Sequence, residues 1–326
     1  YNFVLRDVSL LSLFEPRELV FSNHVAFSYF YPVSLLSFFV GSVELGFFCY
    51  NSICIVVATG GFALLYKTVF PKENSALLLI VTIVSMLSPF IFGISTLQIY
   101  DFAAICVTPM LLGVAIRRRW ALFILLGLYA CFIKEPGVVY FTTLSITVIL
   151  CELARTNNKI KLIICNPLIY FTLMVDTLFL AIYFRIGNYS DAQGEGFGFN
   201  INHVKGILKM FCVLNFSWVL VILSMMCILT ILIFQKADME LKRSVVLVSV
   251  PGVAFLVFNC FVLSYLNPRY IDFFYPTILV LTVVLILAVI RRNLYRIIAV
   301  LFLANLFILS DFASAARGKN KRDSFT

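Results

Sequence analysis

Long apolar runs separated by short polar punctuation fill the chain from about residue 25 onward. The apolar positions are continuous rather than alternating with period two, so helices and not barrel strands must satisfy the backbone in hydrocarbon. With about 20 residues per crossing, the pattern predicts helices near 46–66, 76–98, 101–116, 168–186, 216–234, 244–266, 271–290 and 297–312. Two shorter runs, 120–133 and 137–153, flank Lys134-Glu135-Pro136-Gly137, and each crosses only if the site where they meet lies below the membrane surface. The stretch 25–40 carries Pro32 and reads as an interfacial helix or a span. The expected fold is an all-α, polytopic transmembrane bundle of about ten or eleven membrane helices. Residues 1–45 form an external loop with a juxtamembrane helix, 46–312 the transmembrane domain with an external loop at 187–215, and 313–326 a basic tail.

Composition agrees with this pattern: 62% of the 326 residues are hydrophobic and 13% charged, too little polarity to cover an aqueous surface. Many of the 34 Phe and 15 Tyr lie near the ends of apolar runs, as interface anchors rather than a stacking platform for nucleic acid. The nine Cys lie in or against apolar runs, with no CxxC pair, so a metal or disulfide framework is poorly supported. The chain opens at Tyr1 without a basic-then-apolar leader, so a signal peptide or first helix is expected upstream.

The net charge of +9 is concentrated in short clusters: Lys67 with Lys72, Arg117 to Arg119, Arg155 to Lys161, Lys236 to Arg243, and Arg291 to Arg296. Successive clusters are two crossings apart, so all five fit one face, cytoplasmic by the positive-inside rule. The basic tail from Arg317 then falls on the wrong side.

Two cations depart from this pattern. Lys134 and Arg269 fall on the opposite face, each beside an acid (Glu135, Asp272) and a proline (Pro136, Pro268). A lone cation there either snorkels or binds something, and two on one face point to an anion site. Asp101 opens a helix, where it acts as a cap or as a carboxylate of the same external cavity. Asp176, in the middle of FTLMVDTLFLAIYF, must face protein or water, and a bond to a neighbouring helix is the favoured reading. The glycine-rich loop Gly187 to His203 has neither a preceding strand nor a following Lys-Ser/Thr, so it reads as a linker and not a phosphate cradle.

The order of these features resembles a family. Asn23-His24 leads to Pro32, then come Ser88-Pro89, Asp101, the stretch Gly127 to Glu135 (GLYACFIKE), and Asn267-Pro268-Arg269-Tyr270 before another helix. This order is similar to that of the GT-C membrane glycosyltransferases, in the branch of the protein O-mannosyltransferases and the lipid A aminoarabinose transferase, over most of residues 20–290. The resemblance implies sugar transfer from a polyprenyl- or dolichyl-phosphate donor to a glycan, lipid or protein acceptor on the external or lumenal face. It makes Asp101 the second acid of the site. His24, Lys134, Glu135, Arg269 and Tyr270 become substrate-binding residues, with Lys134 and Arg269-Tyr270 around the lipid phosphate. The family's main acid lies in an acidic pair upstream of the His segment. Here Val25 follows His24, and Asp7, Glu15 and Glu18 stand alone, so either Asp7 serves as that acid or the acid precedes Tyr1, the preferred reading.

The expected function is a lipid-linked-sugar glycosyltransferase or a fragment of one, with a possible divalent metal. The alternatives are a transporter or flippase of a lipid-linked glycan and a structural membrane subunit. The expected location is a bacterial inner membrane, or alternatively the endoplasmic reticulum membrane.

Overall fold

The computed structural model describes residues 20–21, 24–25, 27–88, 91, 100–133, 136–155, 166–186, 204–205, 217–234, 238–262 and 273–307. Apart from a two-residue antiparallel pairing of Val20–Phe21 with His24–Val25, the described elements are helical. The helices are α1 (Phe27–Val40), α2 (Val43–Val69), α3 (Ser75–Met86), α4 (Tyr100–Ile116), α5 (Trp120–Cys131) and α6 (Pro136–Arg155). They continue with α7 (Pro167–Ile186), α8 (Ser217–Ile228), α9 (Met239–Val262), α10 (Phe274–Val289) and α11 (Asn293–Phe307).

Most boundaries fall within a few residues of the hydropathy pattern, and the departures have local causes. The helix expected over 76–98 begins where Asn74 accepts the Ala76 amide at 2.8 Å but ends at Met86. Its last residues approach Pro89, which disfavours helical geometry in the residue before it. The run 216–234 is α-helical to Ile228 and then widens into a π-helix at Leu229–Phe234.

Among the described residues three helices are long and apolar enough to cross a membrane: Val43–Val69, Pro136–Arg155 and Met239–Phe258. The outer surface carries large apolar side chains all round, Phe39, Phe48, Val56, Leu125, Ile233 and Phe302 among them. Such a continuous apolar exterior suits lipid and not water. The helix α10, apolar on every face, is buried from Phe274 through Leu287 and forms the axis of the bundle. Around it, α8 and α9 pack on one side and α4 on another, while α2 and α4 form the most extensive helix pair.

Because lipid offers no hydrophobic drive for helix association, small residues and interhelical hydrogen bonds set these contacts. A Cβ on Gly61 would lie 2.5 Å from the backbone nitrogen of Met110, so α2 and α4 reach this spacing only with glycine there. Ser224 donates to the Ile278 carbonyl at 2.7 Å and Thr282 to the Leu220 carbonyl at 3.3 Å, joining α8 to α10.

Candidate functional site

The helix directions sort the chain into two ends. At one, the C-terminus of α4 turns through Arg117 to Arg119 into α5, with Arg118 in left-handed geometry at φ 59°. Glu152, in the last turn of α6, accepts from Arg118 at 2.8 Å and forms an ion pair with Arg243, at the start of α9, at 3.1 Å. Arg155 lies 3.9 Å from the same carboxylate, and Glu240 pairs with Arg118 at 3.5 Å and Arg243 at 3.3 Å. Arg243 also donates to the orphan carbonyl of Ile116 that ends α4, at 3.2 Å. Arg117 reaches Thr68 at the end of α2, at 2.6 Å. Arg296 pairs with Glu73 at 2.7 Å and donates to the Leu287 carbonyl at 2.7 Å and to the Ile290 carbonyl, capping α10. Segments from all five basic clusters therefore meet at one end of the bundle, the sidedness that their spacing predicts.

At the opposite end stand the start of α4, the end of α5, and the starts of α6, α10 and α1. The Ser28 amide, at the head of α1, donates to the Phe132 carbonyl at 2.9 Å. The Tyr50 hydroxyl of α2 meets the Tyr129 hydroxyl of α5 and lies 3.3 Å from the Ser28 carbonyl. Gly137, in the first turn of α6, packs so closely that a Cβ there would strike the Ala130 carbonyl and lie 3.2 Å from the Phe273 ring. That ring also stacks on Tyr140, with centroids 5.1 Å apart.

These contacts set the depth of this end. The 12 residues of α5 rise about 18 Å, whereas the 27 of α2 rise about 40 Å. From the level of Tyr50, α2 continues outward for about 10 Å beside α1, with Gly46 against Ser37. The end of α5 at Phe132 is thus recessed beneath the α1–α2 hairpin.

Of the candidate residues, Asp101 is described: it lies in the first turn of α4, at this recessed end, and is 1% exposed. It is enclosed by protein and also complements the positive end of the α4 dipole. The His24 backbone pairs with Phe21, and its side chain lies outside the described residues. Asp7, Lys134, Glu135, Arg269 and Tyr270 also lie outside them. Their described neighbours nevertheless meet. Phe132, two positions before Lys134, holds Ser28, four positions after His24. Gly137, two positions after Glu135, touches Phe273, four positions after Arg269. These contacts join the described residues Ser28, Phe132, Gly137 and Phe273 at one end of the bundle.

Asp176 accepts a hydrogen bond from Thr142 of α6 at 2.8 Å, the helix-to-helix bond that its place in an apolar run predicts. The tyrosine contact and the shared carboxylate of Glu152 were not legible in the sequence; the signals available were a Tyr in each of two apolar runs and a Glu one turn before Arg155. Among the described residues no group of three or more His, Cys, Asp or Glu could hold a metal ion. In the comparisons, no family model, no curated protein and no solved structure matches this chain.

Proposed function

We propose that this chain is a multi-pass membrane glycosyltransferase with about ten or eleven membrane helices that moves a sugar from a polyprenyl- or dolichyl-phosphate donor to an acceptor on the face away from the basic clusters. The observation that supports this reading is that Ser28, Phe132, Gly137 and Phe273, which flank the candidate residues in the chain, meet at the end of the bundle where Asp101 opens α4, opposite the ion-paired end. A recess below the surface suits a substrate whose phosphate sits at the headgroup level and whose lipid tail stays in hydrocarbon.

In this mechanism Lys134 and Arg269 hold the donor phosphate, and Tyr270 donates to one of its oxygens. A carboxylate, Asp101 or an acid nearer the N-terminus such as Asp7, takes the proton of the acceptor hydroxyl as its oxygen attacks the anomeric carbon. The bond from that carbon to the phosphate oxygen breaks, the electron pair leaves with the lipid phosphate, and the configuration inverts. The two cations stabilise the charge that grows on the leaving phosphate, an effect strengthened where water is scarce. His24 and Glu135 orient the acceptor and the sugar.

The test is donor turnover by variants of the two cations. A charge-assisted contact to phosphate contributes about 1.5 to 3 kcal/mol, so Lys134→Ala and Arg269→Ala should each lower turnover roughly tenfold or more. Arg269→Lys should recover only part of the loss, because an ammonium cannot grip two oxygens as a guanidinium does. Wild-type turnover in both alanine variants would remove the phosphate site and, with it, the transferase.

A further inference from the structure

We propose that Asp176 and Thr142 form an acceptor-only subsite that binds the sugar hydroxyls of the lipid-linked donor. This inference rests on the transferase reading above and adds to it where the sugar sits.

The bond between Thr142 and Asp176 leaves the carboxyl incompletely used. Thr142 gives its one proton to Oδ1 at 2.8 Å, whereas a carboxylate offers about four lone-pair sites. The side chain is half-buried, between a packed face carrying Val175 and Phe179 and an outward face carrying Thr177 and Leu178. A carboxyl group in an apolar helix is costly unless the lone pairs that Thr142 leaves free meet water or a polar ligand.

Its depth places it beside the recess. Phe179, about 5 Å further along α7, has its ring 5.9 Å from that of Phe132, the residue whose carbonyl holds the head of α1. Asp176 therefore lies about 5 Å deeper than the contact of Phe132 with the head of α1, just below the end of α5.

The polarity of the pair selects its ligand. With its proton committed, Thr142 presents lone pairs, and Oδ1 of Asp176 already accepts, so the pair offers hydrogen-bond donors further acceptor sites. Hydroxyls supply such donors. A substrate with its phosphate on the cations and its sugar on this pair has a single polarity along its length, which fixes the direction in which it enters.

The experiment uses the full chain with its native cysteines replaced. Asp176→Cys, and separately Thr142→Cys, is treated with a membrane-impermeant thiol reagent alone, with a short-chain polyprenyl-phosphomannose, or with the same polyprenyl phosphate lacking sugar. Thr177→Cys, on the outward face, is the lipid-facing control. The expected result is labelling at both subsite positions but not at 177, slowed about tenfold by the sugar-bearing lipid and far less by the bare lipid phosphate. Absence of labelling at 142 and 176 overturns the proposal, because the pair is then sealed from water. Equal protection by both lipids, or protection by neither, overturns the assignment to sugar. Binding of each lipid, measured separately, tells the two failures apart: if the donor binds and Lys134→Ala weakens it, the transferase reading stands and the subsite alone falls. If the donor does not bind at all, both fall.

Discussion

The two ends of the bundle use polar residues in different ways. At the basic end, Glu152, Glu240 and Glu73 are each matched to arginines, so charge ties the α4–α5 turn to α6 and α9, and the α2–α3 turn to α11. At the recessed end the described contacts are made by hydroxyls, rings and a close glycine: Tyr50 with Tyr129, Tyr140 with Phe273, and Gly137 against Ala130. A charge already matched within the fold has little left to offer a ligand. The difference teaches that two kinds of contact hold the described bundle: matched charges at one end, and hydroxyls, stacked rings and close glycine packing at the other.

The outcome that would break this comparison outright is topological. Cysteine placed at Gly194, in a background without native Cys, should label fully with an impermeant reagent from outside the cell, while one placed at Arg292 should label only after the membrane is opened. The reverse pattern would put the basic end outside and remove the sidedness on which the transferase depends.

Next in size is Asp101. If its charge serves proton transfer, Asp101→Asn should reduce turnover about a hundredfold or more with protein abundance unchanged. Asparagine caps a helix about as well as aspartate, so near-normal turnover would assign Asp101 to capping α4.

For the opposite end, Glu152→Ala removes one of the two carboxylates that Arg118 and Arg243 share and leaves Glu240 as their partner. Removing one member of such a partly exposed network costs about 2 kcal/mol. Reversible denaturation in detergent should show that loss, and turnover per folded molecule should remain that of the wild type. A variant that is stable but inactive would mean that the basic end also takes part in catalysis.

The smallest expected effect sharpens the contrast. Tyr50→Phe removes the hydroxyl that joins α2, α5 and the head of α1, a loss of about 1 kcal/mol. Its signature should be faster hydrogen exchange at the end of α5 and a raised KM for donor, with little change in global unfolding. An unchanged KM would show that the floor of the recess does not depend on this contact.

Much of the helix layout was legible because lipid leaves the backbone few options: runs long enough to cross must be helical, and prolines and polar pairs mark where they stop. The short runs flanking Lys134-Glu135 announced a recess, and the basic clusters announced a common end. The helix expected over 76–98 is interrupted after Met86, a break that hydropathy alone does not mark because Pro89 acts through geometry and not polarity. The carboxylate of Glu152 was not legible as a hub, because its partners Arg118 and Arg243 lie far apart in the chain.

The sequence by itself determined that this protein is helical, that its exterior is apolar, and which ends of its helices lie together, since each follows from local hydropathy and charge. Only the tertiary structure decided which helix forms the axis. It alone enclosed Asp101, gave Asp176 a partner on α6, and brought the flanks of Lys134 and Arg269 into contact. The physical reason is that apolar runs look alike to a lipid solvent, so their neighbours are chosen by glycines that admit close approach and by hydroxyls that bond across helices, and those choices are made between residues distant in the chain.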